Sequence, residues 1–195
     1  MYDDDIDLDY GVEFRNFERP GDWKRPRLAN RVLLFKPHGS LNWLFCPTCS
    51  ALEITPKEKA VITRVISEDR VPCPECKNFY SPLVVPPTFY KDFNNVFLAE
   101  IWNRTEKMLR RVQHLVFCGY SLPDADMHIK YLLKRGQTNS YGTLKFTVIN
   151  NFPDKLKSAR DDEEYRFRRF LGPKVDYTAL SFEEFAKDPM GLLQK

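Results

Sequence analysis

No run of about 18 apolar residues occurs in this chain, so no membrane-spanning helix is expected. Glycine is scarce, with eight in 195 residues, and every one stands alone. A G-x-G-x-x-G or Gly-Ala-Gly cluster would let backbone N–H groups approach a pyrophosphate at a helix N-terminus; its absence removes that phosphate cradle. A net charge of +3 is too small to argue for nucleic acid. No basic and apolar leader opens the chain, which begins Met1-Tyr-Asp-Asp-Asp5, so the expected compartment is the reducing cytoplasm. There is no internal repeat beyond two cysteine pairs and no low-complexity tract. Fourteen prolines outnumber the glycines and point to rigid connections. With 43% hydrophobic residues, a chain of this length can build one domain carrying a small insert.

What is present begins with those cysteines. Cys46-Pro-Thr-Cys49 and Cys73-Pro-Glu-Cys76 each have the C-x-x-C spacing that turns two thiolates toward one ion, with 23 residues between the pairs. Four such sulfurs close a tetrahedral structural zinc site, and the proline after each first cysteine tightens the turn. Two disulfides would suit a secreted chain, and a redox motif would need only one pair. Zinc is therefore the expected occupant. Cys118, inside Leu115-Val-Phe-Cys118-Gly119, reads as a small buried hydrophobe.

Residues 1–30 show no strong helix or strand. Arg31–Lys36 reads as a buried strand stopped by Pro37. His38-Gly-Ser-Leu-Asn-Trp43 leads into the first cysteine pair, and a zinc module is expected over Trp43–Tyr80, with strand propensity at Ala60–Ile66. Leu83–Val85 is a short strand. A helix follows, capped by Asn94 or Asn95, with Phe97, Ile101, Met108 and Val112 near one face. His114–Cys118 is a strand and Gly119–Asp124 its turn. A helix runs from Asp124 or Ala125 to Lys134, closed by Gly136. Leu144–Ile149 is a strand ending at Asn150, Asp154–Phe170 a charged helix, and Val175–Leu180 a last strand. Ser181-Phe-Glu-Glu184 is a capping box.

This alternation predicts an α/β fold: a partial, Rossmann-like parallel sheet with a small inserted zinc ribbon. The expected organisation is residues 1–42 as N-terminal segment and first strand, 43–80 as zinc ribbon, and 81–195 as the remainder of the α/β domain. Ligands of such folds sit outside the carboxyl ends of the strands. His38, the Gly119–Ser121 turn and Asn150 fall at such ends, and a parallel sheet can bring them to one edge.

His38-Gly39-Ser40-Leu41 eight residues before the first zinc cysteine, the two cysteine pairs, Gly119-Tyr120-Ser121-Leu122, and Asn150 after an apolar strand together resemble the sirtuin family, and more closely its divergent bacterial branch. The resemblance covers roughly 31–150. It implies that His38 is the catalytic base, that Gly119, Ser121 and Asn150 contact NAD, and that the cysteines form the family's structural zinc ribbon. The Ser121-Leu-Pro-Asp-Ala-Asp126 extension is similar to the divergent branch, which includes NAD-degrading proteins of bacterial defence. Hydrolysis of NAD is therefore expected over deacylation of lysine, because Val84-Val-Pro-Pro-Thr88 stands where deacylases carry an F-G-E-like segment. The family's glycine-rich loop and T-x-N-x-D-like motif have no counterpart here. That implies a chain starting downstream of both, weak or inactive alone, and self-associating or completed by another chain.

Blander readings stand beside these. His38 can simply hydrogen-bond at a strand end, and a glycine after a strand often serves packing. Asp124 and Asp126 read as helix caps. Trp43, Trp102 and Phe97 beside basic residues can bind single strands, but Trp102 and Phe97 fall on the apolar face of a predicted helix and read as core; His114 and His128 read as structural, and Arg110-Arg111 and Arg166–Arg169 as solvated helix faces. The alternative function is a non-catalytic zinc-ribbon module that binds a protein or a nucleic acid; a degenerate remnant is a third.

Overall fold

A computed structural model describes residues 6–17, 19, 23–55, 71–85, 95–151 and 157–193. The chain divides into two units, Met1–Thr105 and Glu106–Lys195. The expected strand at Ala60–Ile66 lies outside the described residues.

The first unit opens with a strand where the sequence suggested none. β1 (Asp7–Asp9) pairs in parallel with β2 (Arg31–Leu33), Leu8 opposite Val32. The acidic residues that disguise β1 are held by arginines. Asp7 Oδ2 accepts from the Arg27 backbone N–H at 2.9 Å and from its Nε at 2.8 Å, and Arg31 pairs with Asp9 at 3.1 Å. The expectation that 31–36 is a buried strand is also corrected. Ile6, Leu8, Val32 and Leu34 share one face of this pair by alternation, and all four are exposed. No third strand joins this sheet among the described residues.

The residues just after β1 do the packing. Tyr10, Val12 and Phe14 alternate into the core, and Tyr10 and Phe14 both meet the Trp43 ring edge-on. Asn16 behaves like an extra strand residue. Its carboxamide donates to Ile54 O at 2.7 Å and accepts from Ile54 N at 3.0 Å. β3 (Gly39–Phe45) runs antiparallel to β4 (Leu52–Ile54) on one side and β5 (Ser81–Val84) on the other. α1 (Val96–Leu109) then lays Leu98 and Ile101, both fully buried, on this core. Of the two caps proposed, Asn95 serves: its Oδ1 accepts from Phe97 N at 3.0 Å and Leu98 N at 3.3 Å. The helix stops at Leu109, so Val112 lies past its end.

The second unit follows the alternation read from the sequence. β6 (His114–Cys118), α2 (Met127–Thr138), β7 (Lys145–Ile149), α3 (Lys157–Leu171) and β8 (Val175–Thr178) form a parallel three-stranded sheet in the order 6-7-8. This is a Rossmann-like β-α-β-α-β run. Phe117, Phe146, Val148, Phe167, Leu171 and Val175 form its core. α2 begins later than expected and runs through Gly136 instead of ending there. The glycine serves contact: a Cβ at Gly136 would lie 2.7 Å from Leu109 Cβ. The short α4 (Phe182–Lys187) and α5 (Pro189–Leu193) close the chain. Ser181 and Glu184 form the expected capping box, with bonds of 3.1 and 2.8 Å.

Candidate functional site

The two cysteine pairs meet. Cys46 and Cys49 sit on the turn between β3 and β4, where Cys46 N donates to Ala51 O at 2.9 Å. Cys73 and Cys76 sit on a second hairpin turn, flanked by the antiparallel bridge of Pro72 with Phe79. The four Sγ atoms lie within 4.8 Å of one another, with Cys46 and Cys76 at 3.4 Å and Cys49 and Cys73 at 3.6 Å. A zinc ion with bonds of about 2.3 Å needs tetrahedral edges of about 3.8 Å, so these residues fit a closed four-sulfur site.

Backbone amides prepare the sulfurs for negative charge. Those of Cys49 and Thr48 face Cys46, and those of Cys76 and Glu75 face Cys73; Ala51 serves Cys49 and Asn78 serves Cys76. Cys46 is held low by the Cys49 amide first. At Cys73 burial opposes ionisation, but the Cys76 and Glu75 amides outweigh it and set the thiol at about 6. Burial pushes Cys49 up. The Asn78 amide favours the Cys76 thiolate, yet burial and three neighbouring sulfurs raise it to about 12. Four sulfurs this close compete for negative charge, and a single divalent ion would let all four be thiolates together. Arg15, paired with Glu75, adds positive charge beside Cys49. The Tyr80 hydroxyl is buried beside Cys73 and Glu53; burial first, then these neighbours, raise its pKa.

His38 lies in the first unit, on the turn before β3. Its carbonyl accepts from Val85 N at 2.8 Å and its Nδ1 lies 3.1 Å from Val85 O. A carbonyl only accepts, so Nδ1 carries the proton and Nε2 is the basic nitrogen. The turn is clamped from α1, where Trp102 Nε1 donates to Pro37 O at 2.7 Å and its ring meets the imidazole edge-on at 6.4 Å. Gly39 is required: at φ +72°, a Cβ would lie 2.0 Å from Leu83 O. Two neighbours, Lys36 and Asn42, were not singled out in the sequence. Lys36 Nζ donates to Ser40 Oγ at 3.1 Å, and Ser40 Oγ donates to Asn42 Oδ1 at 2.6 Å. Burial lowers the Lys36 pKa, and its ammonium sits 5.2 Å from the Tyr10 ring centroid.

In the second unit the structure brings Gly119, Ser121 and Asn150 together at the carboxyl edge of the sheet. Gly119 N donates to Ile149 O at 3.1 Å, and Asn150 Nδ2 donates to Tyr120 O at 3.2 Å. The turn is wound unusually. Gly119 has φ +66° and Leu122 has φ +52°, a left-handed backbone that costs a leucine about 1–2 kcal/mol. Burial of the Leu122 side chain to 1% exposure holds it there. Ser121 is exposed.

Sequence reasoning missed the groups beneath this edge. Glu163 is 2% exposed, and its Oε1 accepts from Asn150 Nδ2 and, at 2.9 Å, from Tyr177 Oη. The signal was its position four and eight residues before Phe167 and Leu171, which puts a carboxylate in the core-facing row of α3. Asp126 is corrected from cap to buried acceptor. Its side chain makes no cap bond, and Oδ2 accepts from Tyr120 Oη at 3.0 Å. Asp124 pairs with Lys130 at 2.8 Å. His114 is structural as expected: Nε2 lies 2.8 Å from Thr147 Oγ1, and burial lowers its pKa. Arg110 is more than a solvated face, because it and Arg135 both pair with the buried Glu106.

No protein-family model matches the chain, and no curated protein matches it. Solved structures do. The likeness is to Sir2 structures. One is a mutant of Sir2 with a p53 peptide and NAD, at 14% identity and TM-score 0.46, covering 85% of this chain and 58% of that one. Another is Sir2Tm bound to a propionylated peptide, at 14% identity and TM-score 0.45, covering 83% of this chain and 56% of that one. The chain thus spans less than three fifths of the length of either. Among the described residues, no helix is long and apolar enough to cross a membrane.

Proposed function

We propose that this chain is a sirtuin-like, zinc-containing NAD-binding protein of a reducing, cytoplasmic compartment, related to NAD hydrolases more than to deacylases. The observation that carries the reading is the bond from Asn150 to the backbone of Tyr120, the residue between Gly119 and Ser121, at the carboxyl edge of a parallel sheet. Residues 43–80 are the zinc ribbon within an α/β domain formed by 1–42 and 81–195. Cys46, Cys49, Cys73 and Cys76 would hold the ion, which supplies structure and no reacting position. His38 Nε2 would take the proton as a water or ribose oxygen attacks the anomeric carbon of the nicotinamide ribose. That attack breaks the glycosidic bond and releases nicotinamide.

The sequence has no glycine-rich phosphate loop, so weak or no turnover is expected from this chain alone. The experiment is to add millimolar NAD to the purified protein and follow nicotinamide release and thermal stability together. Stabilisation by NAD supports binding, and release that vanishes in His38→Ala supports catalysis. The absence of both release and stabilisation would refute the reading. It would then favour a non-catalytic zinc-ribbon module, which the closed four-sulfur cluster supports on its own.

A further inference from the structure

Asn150 is the meeting point of three elements. Its backbone N–H donates to Thr178 O at 3.2 Å, at the end of β8. Its Nδ2 donates to Tyr120 O at 3.2 Å, after β6, and to Glu163 Oε1 on α3. Both partners of Nδ2 are acceptors that cannot donate, so the amide has one orientation: nitrogen inward, Oδ1 on the opposite side. Glu163 is the stronger partner, because a carboxylate makes a charge-assisted bond and Tyr177 fixes the same oxygen from beyond. The carboxylate sits nearly fully buried, with the amide and a phenol as its donors.

We propose that Glu163 is a positioning residue that locks the Asn150 carboxamide, so that the sheet edge presents Oδ1, an acceptor, to a hydroxyl donor of the ligand, a sugar hydroxyl. The inference rests on the NAD-binding reading and deepens it. An acceptor fixed this way selects a ribose that can donate and turns away one that cannot. An unlocked carboxamide would rotate and offer either end.

The experiment measures binding of NAD and of NAD analogues, each lacking one ribose hydroxyl, to the full chain by calorimetry. The expected result is that one analogue binds about five- to tenfold more weakly than NAD. Glu163→Gln, which keeps an acceptor, retains that ratio, whereas Glu163→Leu brings it toward one with its fold intact by circular dichroism. No NAD binding by the wild type removes the cofactor reading and takes this inference with it. Binding in which no analogue is disfavoured, or in which Glu163→Leu keeps the full ratio, overturns this inference alone. Should Glu163→Leu fail to fold, 15N-labelled wild type decides. The Asn150 Nδ2 protons must be protected from exchange and show no Overhauser contact to bound NAD, and a direct contact overturns the proposal.

Discussion

Alanine at Gly39 and at Gly119 should have very different consequences, although both glycines have a left-handed backbone, at φ +72° and +66°. The torsional cost is shared. A left-handed alanine loses about 1–2 kcal/mol, and the stiffer unfolded chain returns about 0.4–1 kcal/mol. At Gly119 nothing lies within 4 Å of the new Cβ, so the net loss should be about 0–1.6 kcal/mol. At Gly39 the Cβ falls 2.0 Å from Leu83 O, against the 3.3 Å or more that carbon and oxygen normally keep. The strands β3 and β5 must part, breaking the Val85 N to His38 O bond and the His38 Nδ1 contact with Val85 O. Two or three lost bonds at about 1 kcal/mol each bring the total to about 3–4 kcal/mol. That should lower the melting temperature of the first unit by at least about 10 °C. The assay is built into the chain: its three tryptophans, Trp23, Trp43 and Trp102, all lie in the first unit, so indole fluorescence reports that unit. Gly119→Ala is followed by far-ultraviolet dichroism. Equal effects, or a Gly39→Ala protein melting like wild type, would refute the pairing that seats His38.

Three further outcomes are expected. Purified chain should carry one zinc per molecule by metal analysis; Cys73→Ser or a strong chelator should remove it and open the Trp43–Tyr80 lobe first to proteolysis, and an unchanged digestion pattern would contradict the metal assignment. Asp7, held low by Arg27, and Glu184, held low by the Ser181 amide, give stability that is whole at neutral pH and above the usual carboxylate range; it is lost as pH falls through their lowered folded values, so Asp7→Asn should flatten the acid limb of a stability–pH profile, and an unaltered limb would show the pair contributes nothing. The exposed apolar face of Ile6, Leu8, Val32 and Leu34 should drive self-association, so sedimentation should show oligomers that Leu8→Lys with Val32→Lys dissolves; a monodisperse wild-type monomer would contradict this.

The sheet of the second unit was legible because its apolar runs carry clear punctuation: Gly119 after β6, Asn150 after β7 and the Ser181 capping box after β8. The cysteine spacing was legible for a chemical reason, since four soft ligands at paired spacing have few other uses. The N-terminal segment was not. Its signal was present in Tyr10, Val12 and Phe14 at a period of two, but the aspartates around them dominated the reading, and their arginine partners lie about twenty residues away. Asn16 could not be seen at all, because a carboxamide pairing with the Ile54 backbone leaves no periodic trace. Gly136 misled in the opposite sense: a stop signal and a close helix contact use the same residue. Glu163 was hidden because Asn150 and Tyr177 are its neighbours only after folding.

Leu122 has the last consequence. A polar, solvent-facing bend beside Ser121 takes its shape from a hydrocarbon plug seated in the interior. Trimming that plug to alanine would empty its socket and slacken the bend, while glycine there would ease the torsion yet lose the anchor. Whatever docks at Ser121 would then feel a substitution it never touches.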